Sequence, residues 1–144
     1  MNLTCGVLTG ELSAEKNEMQ SVVAEQDVEI TMVEPGVRRE ARGDRAVYNA
    51  SREELELTAD KGVEIVMTEP VGVSRGRGTK AIYSAAEDVM RLLGEPWLET
   101  PQGRVEGDQV ILDRTNTTLR VTGNWKVKLP LETLKKTGKP PAPK

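Results

Sequence analysis

The sequence predicts an all-β chain built from an antiparallel repeat, and three observations carry that prediction. Val28-Glu29-Ile30-Thr31-Met32-Val33-Glu34-Pro35 returns as Val63-Glu64-Ile65-Val66-Met67-Thr68-Glu69-Pro70, a gapless shift of 35 positions. Apolar and polar residues alternate within the copies, as in Leu55-Glu56-Leu57 and Leu119-Arg120-Val121, which is the period of a half-buried strand and not of a helix. Turn-forming clusters separate the runs by a few residues. A parallel crossover needs about a dozen residues or more, so neighbouring strands must be mostly antiparallel. Repeats of this length stack to share one core.

Strands are expected near 3–9, 19–24, 27–33, 37–49, 54–58 and 63–68, then 72–84, 89–93, 97–100, 104–113, 118–122 and 125–129. Ser21 to Asp27 precedes the first Val-Glu-Ile run as Glu56 to Gly62 precedes the second. Glu34-Pro35-Gly36 closes the first hairpin, and Gly43-Asp44-Arg45-Ala46-Val47-Tyr48-Asn49-Ala50 matches Gly78-Thr79-Lys80-Ala81-Ile82-Tyr83-Ser84-Ala85 at the same shift. Turns are expected at 49–52, 59–62, 100–103, 113–116 and 123–124. Residues 85–93 hold good helix formers, but their repeat partner contains Leu55-Glu56-Leu57-Thr58, so the segment reads as turn plus strand. A third copy starts 29 positions after Gly78, at Gly107-Asp108-Gln109-Val110-Ile111-Leu112-Asp113, and the six lost positions are expected in a turn. Many short strands at this spacing fit a sandwich, a jellyroll or a stacked β-architecture.

One face can be followed through the copies. Ala46, Tyr48, Leu55, Leu57, Val63 and Ile65 correspond to Ala81, Tyr83, Met90, Leu92, Leu98 and Thr100, and then to Val110, Leu112, Leu119, Val121, Val127 and Leu129. These are the expected inward positions. Glu56, Arg91, Arg120, Glu64, Glu99 and Lys128 alternate with them and belong outside. Val47, Ile82 and Ile111 make one strand apolar on both faces, which suggests a cover on its outer side.

At 144 residues the chain is expected to form one domain over residues 1–130, large enough to bury about 70% of its unfolded surface. Residues 131–144 form a basic, proline-rich tail that reads as a linker or a disordered segment. Cys5 is the single cysteine and no histidine is present to activate it. No catalytic signature or metal-binding spacing is found, so neither an enzyme nor a cofactor or metal is expected. Paired carboxylates such as Glu53-Glu54 read as solvated turns. A net charge of −3 and an aromatic set of Tyr48, Tyr83, Trp97 and Trp125 argue against nucleic-acid binding. Arg42-Gly43-Asp44 aligns with Arg77-Gly78-Thr79 and reads as a turn, not an adhesion motif. The first residues lack the charged start and long apolar stretch of a signal peptide.

Arg42 to Ala50 followed by Leu55-Glu56-Leu57-Thr58 resembles the repeat of the OstA-like lipopolysaccharide-transport family, and Leu98 to Asp113 with Leu119 to Asn124 resembles its closing repeats. The resemblance covers about residues 19–129 and departs from the family in its faint first repeat and proline-rich tail. It implies a β-jellyroll of two antiparallel sheets, open along one side, in the periplasm. Its partners would be lipopolysaccharide or a related lipid, held in a groove lined by the inward positions, and other jellyroll domains docked edge to edge, as in a homo-oligomer. Arg42, Arg45, Arg77 and Lys80 are the expected headgroup contacts, because guanidinium and ammonium groups bind phosphate. A closed apolar core with a solvated basic rim is the competing reading of the same residues. An assembly module that polymerises through its open edges without lipid is the alternative function.

Overall fold

The computed structural model describes residues 2–13, 15, 19–116 and 118–129. The strands are β1 (Asn2–Thr4), β2 (Val7–Leu12), β3 (Met19–Glu34), β4 (Val37–Asn49), β5 (Glu54–Glu69) and β6 (Gly72–Ser84). They are followed by β7 (Val89–Leu93), β8 (Trp97–Thr100), β9 (Gly103–Glu106), β10 (Gln109–Asp113), β11 (Thr118–Thr122) and β12 (Lys126–Lys128). No helix occurs among the described residues, and 85–93 is turn plus strand. The tail from 131 onward lies outside the described residues.

Every pairing is antiparallel, and the strands form one hydrogen-bonded sheet folded over on itself. Four long strands, β3 to β6, cross the fold and serve both halves. One half runs β2-β3-β4-β5-β6-β7-β10-β11, and the other runs β1-β3-β4-β5-β6-β8-β9-β12. Neither half closes on its partner, so the expected two-sheet jellyroll, open along one side, is present with its sheets joined through shared strands.

The shared strands change several boundaries. The segments expected as 19–24 and 27–33 are one strand, β3, and those at 54–58 and 63–68 are one strand, β5. Register shifts between Glu25 and Val28, and between Thr58 and Val63, absorb the extra residues as bulges. Positive φ at Gln26 (68°), Asp27 (50°) and Gly62 (108°) bends the chain there without ending it. Residues 59–62 are therefore a corner, not a turn between strands. The reverse occurs at Cys5-Gly6 and Gly107-Asp108, where the segments expected as 3–9 and 104–113 each divide in two.

The repeat motif explains how the corner is made. Gly43, Gly78 and Gly107 hold the same place in the three copies, and each lies where the next strand passes closest. A Cβ on Gly78 would stand 2.6 Å from the Leu93 carbonyl oxygen. The residue after Gly43, Asp44, accepts the Asp60 N–H at 3.0 Å and ties two corners together. At the far end of the same strands Asn49, Ser84 and Asp113 are again equivalent. Their side-chain oxygens accept the backbone N–H of Arg52, Glu87 and Asn116 at 3.2, 3.3 and 3.0 Å, fixing each turn locally.

The six positions lost from the third copy do not come from a turn. Two are lost at the corner, where Gly94-Glu95 replaces 59–62, and two from each strand of the following hairpin, whose two-residue turn Pro101-Gln102 matches Pro70-Val71. Pro96, whose carbonyl accepts the Gly107 N–H at 3.4 Å, takes the place of Val63, and Leu98 falls in the row of Ile65. The core lies in the fold of the sheet. Leu92, Leu98, Val28, Val63 and Val110 are all within 2% of complete burial there, each contributing about 1.5–3 kcal/mol by leaving water.

Candidate functional site

Toward the open side the facing halves separate and leave a groove of about 180 Å³, continuous with solvent. That is smaller than the roughly 300–1,000 Å³ usual for small-molecule sites. Ile30, Met32, Ala41, Ile65 and Met67 line it from one half, and Leu55, Leu57, Ala81, Tyr83, Met90 and Leu112 from the other. Register explains the room. Ala41 pairs directly with Ile30 and Ile65, and Ala81 with Leu57 and Leu92, so a short side chain stands between long ones in both walls.

The inward positions divide between packing and lining. Ala46, Val63, Leu92, Leu98, Val110 and Val121 are buried in the core and fill the fold. Leu55, Leu57, Ile65 and Ala81 belong to the buried core and also line the groove, and Tyr83, Met90 and Leu112 line it partly buried. Tyr48 and Leu119 pack partly buried against the core and do not line the groove. Val127 is in the row of Leu98 and Val105, but it is 43% exposed because β12 is the last strand of its half. Val47, Ile82 and Ile111 stand half-buried on the outer face.

Arg42, Arg45, Arg77 and Lys80 are on the outer face of the sheet. Arg42 pairs with Glu29 at 3.2 Å, Arg77 with Glu64 at 3.8 Å and Lys80 with Glu56 at 3.2 Å. Arg42 also borders a second, polar concavity outside the corner, shared with Asp27, Asp60 and Lys61. None of these four cations lines the apolar groove.

A different set of charges crosses the groove mouth. Glu34 and Arg39 come from the β3–β4 hairpin; Asp88 and Arg114 come from the turns after β6 and β10. Arg39 reaches Glu34 at 3.6 Å and Asp88 at 3.9 Å, and Arg114 reaches Glu34 at 3.8 Å. Arg39 stands between Met32 and Met67 on the inward row, with its side chain only 11% exposed. Its Nη2 is buried and is the atom that pairs with Glu34, without hydrogen-bond geometry to an acceptor among the described residues, and Arg39 also neighbours the Tyr83 hydroxyl. The Tyr83 hydroxyl donates to Asp88 Oδ1 at 3.0 Å. Burial, then this bond and the Asp88 charge, raise the Tyr83 pKa above its ordinary 10.0, against a smaller lowering by Arg39.

Sequence reasoning missed Ile30, Met32, Ala41 and Met67 in the lining and Glu34, Asp88 and Arg114 at the mouth, and it read Arg39 only as part of a basic rim with Arg38, Arg42 and Arg45. The 35-residue shift held the signal for Ile30 and Met32, as partners of Ile65 and Met67. No group of His, Cys, Asp and Glu among the described residues is arranged to hold a metal.

The fold and groove define an open antiparallel β-jellyroll whose interior is filled at its fold and hollow at its mouth. No family model and no curated protein matches the chain by sequence. Among solved structures it is similar to LptH of Pseudomonas aeruginosa, described as the LptA-homologous periplasmic component of the conserved lipopolysaccharide transport device. The TM-score is 0.71 over 90% of this chain and 94% of that one, at 11% sequence identity. At that identity the likeness establishes the fold.

Proposed function

We propose that this protein is a non-catalytic carrier that shields the acyl chains of lipopolysaccharide, or of a related lipid, in its apolar groove during periplasmic transport. The observation that carries the reading is a groove walled by aliphatic and methionine side chains from both halves and open to solvent along one side. Each methylene that enters it gains about 0.8 kcal/mol, so binding strengthens with the length of chain the groove covers. The likeness in fold to LptH supports the choice of lipid and compartment.

A second reading, assembly through the open edges, is favoured by exposed apolar residues at both ends of the sheet. Val7, Leu8 and Leu12 of β2 are 44–57% exposed, as are Trp125 and Val127 at 45% and 43%. Unpaired edge strands recruit further strands, so in this reading the chain polymerises edge to edge without binding lipid. Photo-crosslinking to lipopolysaccharide from Leu57, Met90 and Leu112, with Glu56 as the outward control, separates the readings. Crosslinks at the three lining positions alone support the carrier; none at any position leaves only assembly.

A further inference from the structure

We propose that Arg39 is the groove's polar recognition point, and that it donates hydrogen bonds to a neutral acyl carbonyl, the ester or amide oxygen at the head of a bound chain. This rests on the lipid-groove reading and assigns the groove its ligand's linkage chemistry.

The argument starts from a guanidinium in the wrong company. Arg39 lies on the inward row between two methionines and beside the Tyr83 hydroxyl, nearly nine-tenths buried, and its Nη2 has a long ion pair with Glu34 but no hydrogen bond among the described residues. Its carboxylate neighbours stand at 3.6 and 3.9 Å, beyond hydrogen-bond reach. A buried donor left unmade is unfavourable, and native proteins seldom keep one without a use. The unmet need is therefore an oxygen inside the groove.

The surrounding charge decides which oxygen. Arg39 and Arg114 pair with Glu34 and Asp88, and Glu69 and Glu40 also border the groove, Glu40 being paired with Arg38, so carboxylates outnumber guanidiniums at the mouth. A phosphate or carboxylate headgroup would enter a site already negative. A neutral carbonyl accepts from Nη2 without that repulsion, and its alkyl chain continues over Met67, Ile65 and Leu57. The outward cations Arg42, Arg45, Arg77 and Lys80 have no part in this contact.

The test uses displacement of the fluorescent probe N-phenylnaphthylamine from the whole protein by three amphiphiles with one chain length. These are a monoacylglycerol (ester carbonyl), the 1-O-alkylglycerol (ether, no carbonyl) and a lysophosphatidic acid (carbonyl plus phosphate). The ester should bind about tenfold more tightly than the ether, the usual worth of a hydrogen bond to a charged donor, and the phosphate should add no further affinity. Arg39→Met should erase the ester preference. Arg39→Lys, which keeps a cationic donor, should restore part of it, and Arg42→Gln, on the outer face, should retain it. Equal binding of ester and ether by the wild type overturns the carbonyl site and leaves the groove standing. A strong phosphate preference lost in Arg39→Met replaces it with an anion site. Failure of all three amphiphiles to displace the probe overturns the groove reading and this site together.

Discussion

Replacing Gly78 with alanine should destabilise the fold while the same change at Gly76, two residues away on the same strand, should not. Both glycines are buried and neither has a positive φ, so backbone strain plays no part in the difference. A Cβ at position 78 would meet the Leu93 carbonyl oxygen at 2.6 Å, against an ordinary contact of 3.4 Å or more. That oxygen belongs to the backbone at the corner after β7 and cannot step aside without moving the sheet. Overpacking of this kind costs about 1–3 kcal/mol. The lower entropy of the unfolded alanine chain returns about 0.4–1 kcal/mol. The net loss is about 1–2 kcal/mol, or roughly 2–8 °C in Tm for a domain of this size. At position 76 the Cβ meets the tips of Leu92 at 3.1 Å and Leu98 at 3.4 Å, both flexible side-chain ends. Small overpacking is there offset by the unfolded-state gain, leaving Gly76→Ala within about 0.5 kcal/mol of the parent. Urea unfolding followed by tryptophan fluorescence, with equal m-values, measures both. Should Gly76→Ala lose as much stability as Gly78→Ala, the close approach of the corner strands is not what selects glycine in the repeat.

The Tyr83 phenol, followed by its phenolate absorbance in a Tyr48→Phe background, should titrate above pH 10.0, and Asp88→Asn should lower its midpoint by removing the Asp88 charge while the amide oxygen still accepts from the phenol. Because the folded value exceeds the unfolded one, Tyr83's contribution to stability is complete below pH 10.0 and is lost as pH rises through the folded value. Asp113 runs the other way. The Asn116 side chain and backbone N–H lower its pKa below 3.8, so its contribution is present above 3.8 and is lost as pH falls through the folded value, which acid titration of Asp113→Ala against the parent should show. Leu92→Ala should cost about 2–5 kcal/mol in urea melts, whereas outward Arg91→Ala should stay within about 0.5 kcal/mol. Asp44→Ala, which frees the Asp60 N–H at the corner, should cost about 1 kcal/mol by the same assay.

Alternation and turn chemistry made most of the fold legible before any coordinates. Leu55-Glu56-Leu57 and its partners place residues by parity alone, and parity survives folding. Continuity through the corner was not legible, because Ala59-Asp60-Lys61-Gly62 has the composition of a turn whether it ends a strand or bends one. Only cross-strand partners distinguish the two, and here Val63 resumes pairing with Gly78 on the same neighbour that Thr58 has just left at Lys80. Lining was not separable from packing either, since Leu92 and Met90 share one inward face. Which of them meets a void depends on distance from the fold line. Arg39 was hidden for a third reason. Within Arg38-Arg39-Glu40 it reads as part of a solvated cluster, and only the register with Met32 and Met67 turns it inward.

The irregularities of the repeat share a rule that ties the fold to the groove. The β5 corner holds four residues between paired positions, those of β3 and of the β7–β8 junction hold two, and the third hairpin loses two residues from each strand. Apart from a one-residue bulge at Gln20 beside β2, these changes are even. A one-residue change would turn all later side chains to the other face of the sheet, placing Glu99 where Leu98 now packs. A two-residue change alters only how far a hairpin reaches from the fold line, leaving the faces intact. The core can therefore stay constant while wall height varies. In this chain the wall is lowered at the β8–β9 hairpin, and side chains such as Arg114 and Glu34 meet across the mouth.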